Sequence, residues 1–309
     1  MIDSLTINLP GYNHDIQCIP GITGVKHYLL KDGQVRSTGF LKNLKLTCDF
    51  KGLIIKGSLS RYLKSTNIHF LSRDEFKEAV QLLAQELGIE AKRLEGAKVW
   101  CIEIGGTLRM DHAPGLYLPL FEDLPRYKRA SYRAETVRFE QKQQSLQLYD
   151  KTQEVIDKSR HSKEFCYPEM NLLRVEYKVK KRLTKLFGRE LFLRDLSKKA
   201  TATSLSAMIF DQFNKIVIKP LPTVHVDGAM SSREFMKAVA SAGVATLGID
   251  HLLGNMEALK PTVSRSTLHR MKVKVRESAR SAAMLNPNPL VEEVRSKLEA
   301  AIKQWIFNI

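Results

Sequence analysis

Two short segments carry side chains whose types and spacing suit chemistry on a phosphodiester. Tyr149 and Lys151 lie two positions apart in one segment, and Arg174, Glu176 and Lys178 repeat that spacing in another. On a β-strand, residues with this spacing share one face. A phenol, cations and a carboxylate on one polar face predict a tyrosine that attacks phosphorus while a cation holds the phosphate oxygens.

A phenol with an ordinary pKa of ~10 needs help to act as a nucleophile near neutral pH. A neighbouring lysine favours the phenolate, and carboxylates can hold Mg²⁺ or Mn²⁺, which polarises the phosphoryl oxygens. Attack on a DNA strand would leave a covalent phosphotyrosine, which a 3′-hydroxyl can reverse without ATP. The alternative is a solvated face in which Arg174, Glu176 and Lys178 form cross-strand ion pairs.

A third strand, predicted over residues 99–104, supplies one more carboxylate. Alternation places Glu103 and Cys101 on one face of this strand and Trp100 and Ile102 on the other. If the three strands belong to one sheet, Glu103 joins the tyrosine, the lysine and the second carboxylate on a common polar face.

Composition predicts a soluble protein with a polyanionic partner. The 309 residues are 43% hydrophobic, and 49 Lys and Arg against 33 Asp and Glu give a formal charge of +16. Such a charge favours nucleic acid as the partner. The four cysteines form no CxxC pair, which predicts reduced thiols. No segment has the length and apolar character of a signal peptide or membrane span, so we expect a cytoplasmic protein with no membrane partner.

The predicted fold class is α+β, with an antiparallel sheet followed by a mainly helical C-terminal domain. Short strands fill the first 70 residues, and Ser72 with Glu75 forms the capping-box pattern of a helix start. Proline-rich sequence near Lys219 predicts a domain boundary, giving domains 1–220 and 221–309. Helices are predicted over 231–242, 247–259, 266–283 and 289–307.

Two basic clusters are candidate DNA contacts. The first follows the strand over 172–179, and the second lies on a C-terminal helix that resembles the last helix of a helix-turn-helix, with Gly243 and Gly248 as turn residues. An exposed basic helix and an ordinary helical bundle are the respective alternatives. The candidate DNA-binding residues are Arg174, Lys178, Lys180, Lys181, Arg182 and Lys185 in the first cluster and Arg265, His269 and Arg270 in the second.

The order of four motifs resembles the gene II/X replication initiators of filamentous phages. The motifs are the N-terminal segment 1–10, the Ile-Glu-Ile of 102–104, Tyr149-Asp150-Lys151, and the segment 171–180 with Leu186-Phe187-Gly188 after it. The similarity extends in order over most of residues 1–200. It implies a rolling-circle initiator that nicks and rejoins one strand at the replication origin, with Tyr149 as the nucleophile and Lys151 assisting it.

The resemblance also implies Mg²⁺ or Mn²⁺ as cofactor, double-stranded origin DNA and single-stranded DNA as partners, host helicase and polymerase as further partners, and the bacterial cytoplasm as the location. Many rolling-circle initiators hold the metal with a His-apolar-His pair, which this chain lacks. Glu103 and Glu176 are therefore the candidate ligands, with His112 as a further one; a lone loop histidine is more often not a ligand.

The competing hypothesis is a non-catalytic DNA-binding replication regulator on the same scaffold. A tyrosine recombinase or topoisomerase fits less well, because the chain lacks the spaced Arg and His set that those enzymes carry upstream of their tyrosine.

Overall fold

The structure is a computed structural model that describes residues 1–133, 135–159, 170–180, 183–219, 231–285 and 288–307. It confirms the α+β class: a ten-stranded sheet, antiparallel at every strand pair, is combined with a helical C-terminal region. None of the helices within these ranges has the length and apolar character needed to cross a membrane.

The strand order of the large sheet is β2-β3-β4-β5-β1-β6-β11-β10-β9-β8, and β7 pairs with β12 in a separate small sheet. The strands that carry the predicted chemistry, β6, β11 and β10, are therefore adjacent in the middle of the sheet. The bounds are β1 Ile2–Pro10, β2 Ile22–Leu29, β3 Val35–Leu41, β4 Leu44–Asp49, β5 Gly52–Gly57, β6 Lys98–Arg109, β7 Phe121–Asp123, β8 Lys128–Tyr132, β9 Thr136–Glu140, β10 Gln144–Asp150, β11 Leu172–Val179 and β12 Val217–Ile218.

One face of the large sheet is apolar and packs against helices. Leu5 of β1, Ile104 of β6 and Val175 of β11 are buried there in one core with residues of α2, α6 and α10. The predicted capping box of Ser72 and Glu75 is present at the start of α2. The bounds are α1 Leu59–Lys64, α2 Arg73–Glu86, α3 Ala91–Glu95, α4 Lys151–Ser159, α5 Leu183–Phe187, α6 Lys199–Asn214, α7 Ser232–Leu247, α8 Ile249–Ala258, α9 Arg265–Leu285 and α10 Pro289–Phe307.

Two β-bulges interrupt the pairing of β1 with β6. One falls between Ile2 and Ser4, so that Asp3 is the extra residue of β1, and the other makes Trp100 the extra residue of β6. The prediction that Trp100 shares a face with Ile102 is therefore wrong: Ile102 is buried, whereas the Trp100 side chain is 43% exposed. A bulge breaks strict alternation because two residues oppose one on the partner strand.

The C-terminal helices belong to two different cores. The apolar stripe of α10, including Val294, Leu298 and Trp305, packs in the main core beneath the sheet. Helices α7, α8 and α9 pack together around a small separate core with Val217. Helix α10 therefore belongs with the sheet, although it follows the boundary predicted near residue 220. That boundary borders residues 220–230, which lie outside the described ranges. Gly248 is a turn residue with φ +78°, whereas Gly243 lies inside α7, contrary to the prediction.

Candidate active site

The polar face of the central strands brings together most of the residues predicted to do chemistry. Pairing places Glu176 of β11 between Gln147 of β10 and Gly105 of β6. Gly105 has no side chain, and a Cβ there would lie 2.3 Å from the carbonyl oxygen of Val175. The absence of a side chain at Gly105 therefore allows β6 and β11 to approach each other closely beside Glu176.

Tyr149 and Glu176 are in direct contact. The Tyr149 hydroxyl donates a hydrogen bond of 2.9 Å to Oε1 of Glu176. Burial raises the pKa of Tyr149 above its ordinary value, and the charge of Glu176 raises it further against the opposing effect of Arg174. The phenol is therefore protonated near neutral pH, and Glu176 is positioned to receive its proton once Glu176 is ionised.

Three carboxylates converge beside this tyrosine. Ligand oxygens of Asp3, Glu103 and Glu176 all lie within 4.8 Å of one another. The predicted pair Glu103 and Glu176 is thus brought together, and Asp3 joins it because the bulge in β1 sets Asp3 as well as Ser4 opposite Glu103. Sequence alternation would have placed Asp3 on the apolar side.

These carboxylates carry more negative charge than their partners neutralise. Three carboxylates face two cations: Arg174, which contacts Asp3 at 2.6 Å and Glu176 at 2.8 Å, and Lys178, which contacts Glu103 at 2.5 Å. Burial raises the pKa of Glu176, and Glu103 and Asp3 raise it further against Arg174. Burial alone would raise the pKa of Asp3, but Arg174 and hydrogen bonds from Glu176, Arg174 and Asn67 lower it. The cluster therefore retains a proton on Glu176 until a cation replaces it.

Arg174 is fully buried and holds the cluster together. Its guanidinium also donates to the Asn67 carbonyl at 2.8 Å and to the Thr107 hydroxyl at 2.6 Å, and it lies 4.3 Å from the Phe70 ring centroid. The prediction that Arg174 contacts DNA is therefore wrong, because the side chain is fully buried and its donors are directed at neighbouring protein groups. Arg174 instead braces Glu176, which it contacts at 2.8 Å.

Lys151 does not continue the strand that carries Tyr149. It is the first residue of α4, and its buried ammonium group donates to Asn67 at 3.0 Å and to Glu154 at 2.5 Å. The ammonium nitrogen still lies 5.8 Å from the centroid of the Tyr149 ring. Burial lowers the pKa of Lys151, and Glu154 opposes this shift. Lys151 thus lies near Tyr149, as predicted, but on the first turn of α4 rather than on β10. Its ammonium group is already bound to Asn67 and Glu154.

His112 lies outside the carboxylate cluster. It occupies an exposed turn after β6, where its backbone N–H donates to the Tyr117 hydroxyl at 3.1 Å. Among the described residues, the group of side chains able to share one metal ion contains Asp3, Glu103 and Glu176 only. The third ligand position that the sequence suggested for His112 is therefore taken by Asp3.

The predicted DNA contacts have different surroundings. Lys178 and Lys180 are partly exposed and pair with Glu103 and Glu140, both at 2.5 Å. Lys185 is exposed on α5, which is only five residues long. Lys181 and Arg182 lie outside the described residues. On α9, Arg265, His269 and Arg270 are exposed at the start of the helix.

A cavity of about 310 Å³ opens beside the Tyr149 side chain. Its lining is acidic, so a phosphodiester would meet repulsion there unless a cation were bound. The carboxylates that line it are those of Glu135, Asp150, Glu154, Asp157 and Glu176.

The donor set fits a hard divalent cation. Carboxylate oxygens are the ligands that Mg²⁺ and Mn²⁺ prefer, and Asp3, Glu103 and Glu176 offer three of them with an excess of negative charge. No protein-family model and no curated protein sequence matches this chain. The resemblance to phage initiators therefore stays a prediction, and the geometry of the site supplies the functional argument.

Proposed function

We propose that this protein nicks and rejoins one DNA strand through a covalent 5′-phosphotyrosine on Tyr149, as a rolling-circle replication initiator acting at an origin. The observation that carries the proposal is the 2.9 Å hydrogen bond from the Tyr149 hydroxyl to Glu176, within a cluster of three carboxylates. The α+β fold with a central antiparallel sheet is compatible with the nicking domain of such initiators.

In the nicking step, the Tyr149 oxygen attacks phosphorus and its proton passes to the carboxylate of Glu176. The bond between phosphorus and the 3′-oxygen breaks, and the departing oxygen takes up a proton from solvent to become a 3′-hydroxyl. In the joining step a 3′-hydroxyl releases its proton to solvent and attacks the phosphotyrosine, and the departing phenol recovers its proton from Glu176. The number of phosphodiester bonds is conserved, so no nucleotide cofactor is consumed.

Asp3, Glu103 and Glu176 would hold the Mg²⁺ or Mn²⁺ ion. The bound ion would polarise the phosphoryl oxygens and offset the acidic lining of the cavity. Arg174 keeps two of the carboxylates in position, and Lys178 orients the third. The basic residues that remain exposed after β11 and at the start of α9 are the proposed contacts to DNA outside the site.

The second candidate is a non-catalytic replication regulator that binds DNA on the same scaffold. The burial of the Tyr149 phenol and its raised pKa favour this candidate, because neither activates a nucleophile. Both candidates predict DNA binding that weakens with salt. They differ in whether a covalent adduct forms.

The test uses supercoiled replicon DNA with Mn²⁺ and compares Tyr149→Phe with Tyr132→Phe. Tyr132 is a matched control, since it is an exposed tyrosine on β8 of the same sheet. We expect open circles and an SDS-resistant adduct from the unmodified protein and from Tyr132→Phe, and neither from Tyr149→Phe. Nicking that survives in Tyr149→Phe would reject the nucleophile, and DNA binding without any nicking would favour the regulator.

A further inference from the structure

The polar face of the sheet continues beyond the carboxylate cluster towards the β2 edge. In register across five strands lie Phe40, Lys45, Lys56, Thr6 and Cys101. With strands about 4.8 Å apart, this row extends over roughly 19 Å. The row, here called the polar row, is a continuous track across half of the sheet.

Two lysines of the polar row are placed against each other without a counter-charge. Lys45 and Lys56 are directly opposite in the pairing of β4 with β5, and both are exposed. In the part of the chain that the structure describes, neither ammonium group has a carboxylate within 4.0 Å. Like charges directly opposite on a sheet destabilise it. A polyanion laid across the row would neutralise both.

The polar row ends in an exposed aromatic ring. Phe40 pairs with Lys45 on one side and with Thr23 of β2 on the other, and its side chain is 45% exposed. Gly24 lies beside the ring, where a Cβ would make an ordinary contact of 3.7 Å with Phe40. An open ring beside unpaired lysines is the combination that binds unpaired bases together with their phosphates.

At its other end the polar row reaches the carboxylate cluster. Cys101 lies two residues before Glu103 on the same face of β6, and Glu103 is directly opposite Lys178 of β11. On the next row of the same face, Glu103 pairs with Ser4. A strand lying on Lys45 and Lys56 therefore leads along the sheet towards the carboxylates beside Tyr149.

We infer that the polar row binds single-stranded DNA adjoining the bond cleaved at Tyr149, with Lys45 and Lys56 holding phosphates and Phe40 stacking on a base. This inference rests on the proposed function for its substrate, but the binding does not depend on catalysis. Single-stranded rather than duplex DNA is favoured, because the face of a base is open to an aromatic ring only when the base is not stacked in a duplex.

The test measures fluorescence anisotropy of a fluorescein-labelled 20-residue oligo(dT) in EDTA over a series of salt concentrations. The variant Lys45→Gln/Lys56→Gln should bind more weakly, and the slope of log K against log salt should become shallower by about 1.4, or about 0.7 for each lost phosphate contact. The control Lys92→Gln/Lys215→Gln removes the same charge from exposed positions on α3 and after α6, and its slope should be unchanged.

Phe40→Ala should weaken binding of the oligonucleotide between about 5-fold and 150-fold, the range expected for the loss of one stacked base. Phe40→Leu keeps an apolar side chain on the strand and should show the same loss, with an unchanged circular dichroism spectrum. The inference is overturned if the two double variants lose affinity equally, if Phe40→Leu binds normally, or if a 20-base-pair duplex is affected as strongly as the single strand.

Because binding is measured in EDTA, its outcome is independent of nicking. Loss of oligonucleotide affinity in Lys45→Gln/Lys56→Gln with no nicking by any form of the protein would reject the nicking proposal and retain the polar row. Normal nicking that depends on Tyr149, with oligonucleotide binding unchanged in Lys45→Gln/Lys56→Gln, would retain the nicking proposal and reject the polar row as a binding site.

Discussion

Replacing Arg174 by methionine is expected to destabilise the fold strongly. The methionine fills much of the same space but removes the charge that neutralises Asp3 and Glu176 in a fully buried position. Removing one partner of a buried ion pair costs about 3–5 kcal/mol, because the remaining charge is left uncompensated. This is a large part of the ~5–15 kcal/mol that stabilises a typical domain.

The assay is urea denaturation at pH 7 and pH 5. In the variant the buried carboxylates lose their cation, so their pKa values in the folded state rise above the unfolded values. Such groups destabilise the fold as pH rises, so the deficit should be smaller at pH 5. The control is Arg138→Met, because Arg138 pairs with Glu140 at 3.0 Å on the same sheet but is partly exposed. It should cost less than about 1 kcal/mol. Equal effects of the two substitutions, or a deficit independent of pH, would refute the reasoning.

Three further predictions concern separate elements. Burial raises the pKa of Glu176 to about 8 from an ordinary 4.5, so the stability that protonated Glu176 gives the fold is complete below pH 4.5 and is lost as pH rises towards 8. In EDTA the free energy of unfolding should therefore fall between pH 4.5 and pH 8, and Glu176→Gln should make it less dependent on pH. Lys56→Glu should stabilise the fold by about 0.2–1 kcal/mol in thermal or urea denaturation by relieving its repulsion with Lys45, while weakening oligonucleotide binding. Ser72→Ala should cost about 1 kcal/mol in urea denaturation by removing the cap of α2, with nicking unaffected.

Alternation along regular strands was sufficient to predict that Tyr149 and Glu176 share one face of the sheet. Strands β10 and β11 pair without a bulge, so residues two positions apart keep one face and the tyrosine and carboxylate fall one strand apart. The helix predicted over 289–307 corresponds to α10, whose apolar stripe packs in the main core. The packing of this stripe beneath the sheet depends on tertiary contacts, which a local sequence pattern does not specify.

Asp3 and Lys151 show where local patterns were insufficient. The position of Asp3 depends on a bulge in the pairing of β1 with β6, and such a bulge arises from two distant segments together. Lys151 was assigned to a strand on an alternation of only a few residues. Asp150 with Gln153 three positions later is a helix N-terminal pattern, and the Asp150 carboxylate accepts from the Gln153 N–H at 2.9 Å. This signal would have placed the helix start correctly.

The measurement that tests the central claim most directly is the identity of the residue joined to DNA. The protein is incubated with replicon DNA and Mn²⁺, the SDS-resistant adduct is digested with nuclease and protease, and the modified peptide is sequenced by mass spectrometry. The account predicts a nucleotide 5′-phosphate on Tyr149, within the peptide that joins β10 to α4. A phosphate attached to Tyr132 or any other residue, or through a 3′-phosphate, would contradict it.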